Sequence, residues 1–135
     1  MKKIHNYING TVSSISKNEL PVIDPSTGEE ISKVVLSSEL DFNKAIESSR
    51  NALPTWSNTT PLKRSRILSN YKTLIEKNIH NLAEIVSKEH GKTLDDAKGS
   101  VTRGLEVVEF ACGIPHLLKG EFSNNVGANI DSYSL

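Results

Sequence analysis

One arginine of this chain stands where an amphipathic helix does not require a charge. Residues 93–113, TLDDAKGSVTRGLEVVEFACG, have helical periodicity. Their main apolar stripe consists of Leu94, Ala97, Val101, Leu105, Val108 and Cys112. Arg103 lies nearly opposite this stripe, on a second face with Gly99, Val107 and Phe110. A guanidinium on a face that is otherwise apolar is partly desolvated and needs an anionic partner, so Arg103 is the candidate binding residue.

Two interpretations of Arg103 follow from the pattern. Gly99 and Gly104 each weaken a helix by about 1 kcal/mol relative to alanine, a cost that is easier to understand where a ligand approaches the backbone closely. In the other interpretation, Arg103 pairs with Glu106 on a solvated flank and contributes a few tenths of a kcal/mol. The pattern alone favours the second, because exposed arginines greatly outnumber ligand-binding ones.

The other reactive residue types lack the spacing that chemistry would need. Cys112 falls on the apolar stripe, where a free cysteine behaves as a small hydrophobe, so no catalytic residue is predicted. The four histidines are scattered and predict no metal site. The glycine-rich sequences that bind dinucleotides or phosphates are absent, so no cofactor-binding residue is predicted. The basic residues Lys63, Arg64 and Arg66 indicate a solvated helix face.

Composition narrows the class of protein. The chain has 135 residues and a net charge of zero, which suits one domain and gives no basic excess for nucleic acid. Its apolar runs are only a few residues long, so no membrane span is predicted. The start, MKKIHNYING, lacks the apolar core of a signal peptide, and the single cysteine forms no internal disulfide. We expect a cytoplasmic protein, or a mitochondrial matrix protein if a targeting segment is missing.

The elements that would position Arg103 begin with β-structure. Residues 4–12 alternate around Asn9-Gly10, which predicts a hairpin. A second hairpin is predicted from a short strand before the turn at 24–28 and a strand at about 30–36.

Helices follow. Ser38 and Asp41 have capping-box spacing before a helix that Pro54 should end, with Trp56 packing back on it as a core anchor. The segment TWSNTT is expected to link this helix to the next one.

Later helices carry clear start and stop signals. Thr60 and Pro61 begin a long helix, with a break or kink expected near Asn78 and a C-terminal cap at Gly91. Residues 93–96 have capping-box spacing before the helix of Arg103. After Gly120 the pattern changes to polar residues with strand alternation near 130–133.

Five segments, in order, carry a family resemblance: YINGTV, VIDPSTGEEISKVVLSS, AIESSRNALPTWSNTTPLKRSRIL, LAEIVSKEHGKTLDDAKGSV and RGLEVVEFACGIPHLLKGE. Together they resemble the N-terminal part of the aldehyde dehydrogenase superfamily. The last segment is similar to the CoA-acylating methylmalonate-semialdehyde dehydrogenases. The resemblance implies an α/β fold: β-hairpins and three or four helices of the NAD-binding domain over residues 1–120, then a truncated oligomerisation arm over 121–135.

The resemblance also implies an activity. These enzymes oxidise methylmalonate or malonate semialdehyde with NAD, and they serve valine, pyrimidine or inositol breakdown as homodimers or homotetramers. A cysteine thiolate attacks the aldehyde, and the acyl group passes to coenzyme A after loss of carbon dioxide. The catalytic cysteine and glutamate belong to a later part of the family's sequence, so this chain is expected to be an inactive N-terminal fragment. Arg103 matches the arginine that helps to bind the substrate carboxylate.

Two alternatives remain open at this point. In one, the chain belongs to another aldehyde dehydrogenase subfamily, which acts on a different substrate. A truncated chain can also serve as a non-catalytic module that pairs with full-length subunits.

Overall fold

The computed structural model describes residues 2–135, which contain both β-strands and α-helices, as expected of an α/β protein. The strands are β1 Lys2–Ile4, β2 Tyr7–Ile8, β3 Thr11–Val12, β4 Glu19–Ile23, β5 Glu30–Val35, β6 Phe122–Gly127 and β7 Ile130–Tyr133. The helices are α1 Glu39–Ser57, α2 Pro61–His90, α3 Leu94–Cys112 and α4 Ile114–Leu117. The described chain divides into a first unit, residues 2–58 with 79–101, and a second unit, residues 59–78 with 102–135.

The first unit contains both predicted hairpins. Strands β2 and β3 pair antiparallel around Asn9 and Gly10, whose φ angles of 52° and 74° suit the tight turn that this dipeptide favours. Strands β4 and β5 form the second hairpin, with an irregular register between Val22 and Ile23. The sequence pattern did not predict β1, which pairs parallel with β5 and completes a sheet of order β1-β5-β4.

The turn between β4 and β5 is built by side chains that cap backbone groups. Asp24 Oδ1 accepts from the Ser26 amide at 2.8 Å, and Thr27 Oγ1 accepts from the Glu29 amide at 3.2 Å. Gly28 takes a φ of 75°, and its amide donates to the Asp24 carbonyl at 2.8 Å. Local chemistry therefore fixes the turn that the sequence predicts.

Helix α1 begins with the predicted capping box. Ser38 Oγ accepts from the Asp41 amide at 3.3 Å, and Asp41 Oδ2 accepts from the Ser38 amide at 2.9 Å. The same carboxylate also accepts from the amides of Ile15 and Ser16, at 2.6 Å and 3.1 Å. Asp41 is buried, at 2% exposure, and these backbone donors, Ile15 foremost, lower its carboxyl pKa.

Two predictions for the end of α1 are wrong. Pro54 lies inside the helix, which continues to Ser57, because a proline in the last turn removes one hydrogen bond and leaves the remaining ones intact. The Pro54 carbonyl accepts from Asn58 Nδ2 at 2.8 Å and from Ser57 Oγ at 3.2 Å, which completes that turn. Trp56 is 44% exposed, so it is no core anchor within this chain.

Helix α2 starts and stops where the sequence predicts. Thr60 Oγ1 accepts from the Lys63 amide at 3.4 Å, and Pro61 occupies the first helical position. At the other end, Gly91 takes a φ of 69° and its amide donates to the Ser87 carbonyl at 2.8 Å. The expected break near Asn78 does not occur, because the backbone stays helical there and Asn78 Nδ2 donates to the Leu74 carbonyl.

The second unit ends in the β-structure expected after Gly120. Strands β6 and β7 pair antiparallel with Phe122 opposite Tyr133, and the Ser134 amide donates to the Glu121 carbonyl at 2.9 Å. Every residue of the hairpin strands except Gly127 is exposed. The division into an NAD-binding part, 1–120, and an oligomerisation arm, 121–135, stays a prediction.

The described residues bury little apolar surface. The buried apolar residues are Val35, Ala83 and Ala97, and no large side chain among residues 2–135 is fully buried.

Candidate substrate-contact face on helix α3

Helix α3 carries the candidate residue, and its first turn explains where the helix begins. Thr93 Oγ1 accepts from the Asp96 amide at 3.3 Å, as the spacing predicts. Asp95 and Asp96 place negative charge at the helix N-terminus, where the helix dipole favours it. Lys92 Nζ lies 3.0 Å from Asp96 Oδ2 and donates to Ser100 Oγ at 3.0 Å, so the start of the helix is tied locally.

The predicted apolar stripe is the covered side of α3. Ala97 is fully buried, and the residues Val101, Leu105, Val108 and Cys112 are half-buried. Leu94, in the first turn of the helix, is the exception, at 39% exposure. The helix orientation inferred from periodicity is therefore confirmed.

Two contacts from α2 hold the later part of α3 within the second unit. Ser65 Oγ donates to the Cys112 carbonyl at 2.6 Å, which satisfies one of the carbonyls that a helix end leaves without a partner. Lys72 Nζ lies 2.9 Å from Glu76 Oε1 and 3.4 Å from Glu109 Oε1. The hydrogen bond to Glu76, and next that to Glu109, raise the pKa of Lys72.

Neither of these positioning residues, Ser65 and Lys72, was predicted from the sequence. Lys72 and Glu76 have i,i+4 spacing, which signals a helical ion pair, but nothing local predicts the reach to Glu109. The hydroxyl of Ser65 gives no sequence signal at all.

The opposite side of α3 is exposed and combines one positive charge with apolar side chains. Arg103 is exposed, and Val107 and Phe110, one and two turns further on, are 68% and 69% exposed. We call these three residues the outer face of α3. A Cβ added at the adjacent Gly104 would meet no atom of the described chain within 4 Å. The outer face thus leaves room beside a guanidinium for a ligand or for further protein.

The cysteine, one histidine and the basic cluster lie on the helices outside the outer face of α3. The Cys112 thiol donates to the Val108 carbonyl at 3.3 Å from its half-buried place on the stripe. His80 Nε2 lies 3.2 Å from Glu84 Oε1 on exposed helix surface. The basic cluster is solvated only in part, because Lys63 and Arg66 are exposed whereas Arg64 is half-buried and its Nε has no hydrogen-bond partner within residues 2–135.

Residues 2–135 contain neither a cluster of metal ligands nor a membrane-spanning helix. No three His, Cys, Asp or Glu side chains come together as a metal site would need. No helix there combines the length and the apolar character that crossing a bilayer requires.

Comparison with known proteins identifies the family. The model of the aldehyde dehydrogenase family matches residues 11–134. This chain belongs to the aldehyde dehydrogenase family. The resemblance inferred from the sequence motifs is confirmed, and so is the expected N-terminal part of the aldehyde dehydrogenase fold.

The chain is similar to three proteins that are named as dehydrogenases of malonate or methylmalonate semialdehyde. The malonate-semialdehyde dehydrogenase of Pseudomonas aeruginosa is 46% identical over 99% of this chain and 27% of its own length. A probable acylating, mitochondrial methylmalonate-semialdehyde/malonate-semialdehyde dehydrogenase of Dictyostelium discoideum is 46% identical over 95% of this chain and 24% of its own. A solved structure from Sinorhizobium meliloti, in complex with NAD, is provisionally named as a methylmalonate-semialdehyde dehydrogenase. It superposes on 98% of this chain with a TM-score of 0.91 and 42% identity, and the match covers 27% of that protein. The chain therefore spans about a quarter of the length of the relatives it matches.

Proposed function

We propose that this chain forms the N-terminal part of an NAD-dependent, CoA-acylating dehydrogenase of malonate or methylmalonate semialdehyde. The observation that carries the proposal is the 46% identity, over nearly the whole chain, to relatives named for these substrates. Both substrates are small aldehydes that carry a carboxylate at the other end. Such a substrate needs a positive group to bind the carboxylate while the aldehyde reacts elsewhere.

Arg103 supplies that positive group in our proposal. Its guanidinium is charged at any physiological pH and can hold a carboxylate through two parallel hydrogen bonds. It is exposed, with the apolar side chains of Val107 and Phe110 on the same face of α3. Apolar neighbours lower the local polarity once a ligand or further protein covers them, which strengthens the ionic contact. Arg103 would thus fix the substrate by its unreactive end.

We assign the oxidation of the aldehyde and the transfer of the acyl group to cofactors and residues outside this chain. NAD supplies the oxidant for the aldehyde and coenzyme A accepts the acyl group, and we assign no residue of this chain to either. The nucleophilic cysteine and the catalytic glutamate are likewise placed in the part of the family's sequence that this chain does not span. We therefore propose that the chain alone is inactive. We also propose, from the family resemblance, that the active form is a homodimer or homotetramer. The proposed compartment is the cytoplasm, with the mitochondrial matrix as the alternative, because a relative is named mitochondrial.

A chimera tests this function. The segment of the Pseudomonas aeruginosa relative that aligns with this chain is replaced by this chain, and the product is assayed for NADH and acyl-CoA formation. We expect both products from malonate or methylmalonate semialdehyde, dependence on coenzyme A, and no turnover by the chain alone. A well-folded chimera that oxidises plain aldehydes but neither semialdehyde would place the chain in another subfamily and contradict the proposal.

A further inference from the structure

The tight turn between β2 and β3 contains the one Asn-Gly pair of the sequence, Asn9-Gly10. Both residues are exposed, and a Cβ added at Gly10 would meet no atom of the described chain within 4 Å. Glycine carries no Cβ, so its backbone nitrogen approaches a neighbouring side chain more easily than that of any other residue. The Asn9 side-chain amide is therefore open to attack by the Gly10 nitrogen.

This attack would convert the Asn9 side chain without a cofactor. The Gly10 nitrogen loses its proton to water and bonds to Asn9 Cγ, the bond from Cγ to Nδ2 breaks, and Nδ2 takes up a proton and leaves as ammonia. Water then opens the resulting cyclic imide at either of its carbonyls. One opening yields aspartate, and the other yields isoaspartate, in which the backbone runs through Cβ and Cγ. Water is the sole co-reactant.

The folded turn opposes the closure of this ring. Asn9 and Gly10 alone join the two strands, because Ile8 already pairs with Thr11. Asn9 has a φ of 52°, as a turn of this length needs. Ring closure requires rotation about the Asn9 Cα–C bond until the Gly10 nitrogen faces Cγ, and that rotation breaks the turn. The side chain can thus react only while the tip of the hairpin is open.

The β2–β3 hairpin is short enough to open at its tip. Each strand has two residues, and a hairpin of two short strands is marginally stable at best in water. The base of the hairpin is held more firmly. The Ser13 amide donates to the Asn6 carbonyl at 2.9 Å, and the Asn6 amide donates to Ser14 Oγ at 3.0 Å. Opening of the tip therefore costs little free energy and leaves the rest of the first unit folded.

A cleft beside the turn gives the Asn9 side chain room to rearrange. It has a volume of about 200 Å³ and lies within the first unit. Polar and charged side chains of α1 form most of its wall, so water reaches the amide and the imide. The lining residues are Ile8, Asn9, Lys44, Glu47, Ser48 and Asn51.

We propose that Asn9 is a site of spontaneous deamidation, which proceeds through opening of the β2–β3 turn and yields isoaspartate as well as aspartate. Isoaspartate lengthens the backbone of a two-residue loop by one carbon, so Ile8 and Thr11 no longer pair in the same register. The product therefore keeps the hairpin tip open. Neither a substrate nor a coenzyme takes part, so this site does not depend on the function proposed above.

Incubation of the purified chain at several pH values, followed by proteolytic digestion and mass spectrometry, tests the proposal. Asn129 is the internal reference, because it is exposed at the tip of the β6–β7 hairpin with a φ of 61°. It is followed by Ile130, whose branched Cβ hinders the backbone nitrogen. We expect Asn9 to deamidate about tenfold faster than Asn129 or more. The rate should rise with pH, because the Gly10 nitrogen attacks in its deprotonated form.

Two variants separate the attack from the opening. Gly10→Ala adds a Cβ to the attacking residue, so it should slow deamidation of Asn9 about tenfold even though it also strains the turn at a φ of 74°. Ser14→Ala removes a hydrogen bond from the hairpin base and should speed deamidation of Asn9 about two- to tenfold. The rate at Asn129 should stay the same in both variants, and circular dichroism checks that each retains its helix content.

Four results would overturn the proposal. Equal rates at Asn9 and Asn129, or aspartate without isoaspartate, would indicate direct hydrolysis of the amide by water. An unchanged rate in Gly10→Ala would show that the Gly10 nitrogen is not the attacking group. An unchanged or lower rate in Ser14→Ala would show that the hairpin does not have to open.

Discussion

The amide of Ile15 donates to Asp41 Oδ1 at 2.6 Å, across 26 residues of sequence. The second oxygen of the same carboxylate accepts from the amides of Ser16 and Ser38. One buried side chain thus closes the N-terminus of α1 and holds the loop between β3 and β4 against it. Three backbone donors depend on this single charge.

Replacing Asp41 by asparagine should lower thermal stability. The amide group keeps one acceptor oxygen but loses the negative charge, and its NH₂ group faces backbone donors that then lack an acceptor. We expect the unfolding midpoint to fall by about 5–10 °C. Differential scanning calorimetry measures the change, and Asp95→Asn, at an exposed position of the first turn of α3, is the control. A midpoint within error of the unmodified chain would show that the carboxylate is dispensable.

The Asp41 carboxylate should also make the stability of the folded chain depend on pH. Its pKa in the folded protein lies below the usual value of 3.8, so the unfolded chain binds the proton first as pH falls. The stabilisation is complete above about pH 5 and is lost progressively below about pH 4. The gap in unfolding midpoint between the unmodified chain and Asp41→Asn should therefore be constant near neutral pH and narrow in acid. Thermal unfolding followed by circular dichroism across this range measures it, and a gap that widens in acid would refute the assignment.

Gly91 is predicted to be the less replaceable of two glycines with similar backbone angles. Its φ is 69°, and an added Cβ would lie 2.8 Å from Pro25 Cγ in the β4–β5 turn. Gly28, with a φ of 75°, has open space within 4 Å of the same position. Both alanine variants pay about 1–2 kcal/mol for the left-handed backbone. Chemical denaturation should show a further loss for Gly91→Ala alone, and equal free energies of unfolding for the two variants would exclude a tight contact with Pro25.

Local chemistry explains what the sequence could predict. The Ser38–Asp41 capping box, the Asn9-Gly10 hairpin and the Gly91 cap each depend on residues a few positions apart, and each is confirmed. Their side chains satisfy backbone groups that any helix end or tight turn leaves open, so the pattern itself carries the information.

Contacts between residues far apart in the sequence could not be predicted from the sequence pattern. Nothing in the spacing indicates that Asp41 also reaches Ile15, or that β1 pairs with β5. Trp56 was expected in a core because of its size, but burial depends on what else is present to cover it, and it is 44% exposed. Arg103 illustrates the same limit, since periodicity places it opposite the covered stripe but does not identify its ligand.

Discrimination between substrates with and without a carboxylate tests whether Arg103 binds that group. In the chimera, Arg103→Leu should lower kcat/KM for malonate semialdehyde about 10- to 150-fold, the range expected for loss of a hydrogen-bonded charge contact. Propanal, which has the same carbon chain without the carboxylate, should lose less than threefold. Arg103→Lys keeps the charge without the bidentate geometry, so its loss of kcat/KM for malonate semialdehyde should be smaller than that of Arg103→Leu. Equal losses for the semialdehyde and for propanal would show that Arg103 does not bind the substrate carboxylate.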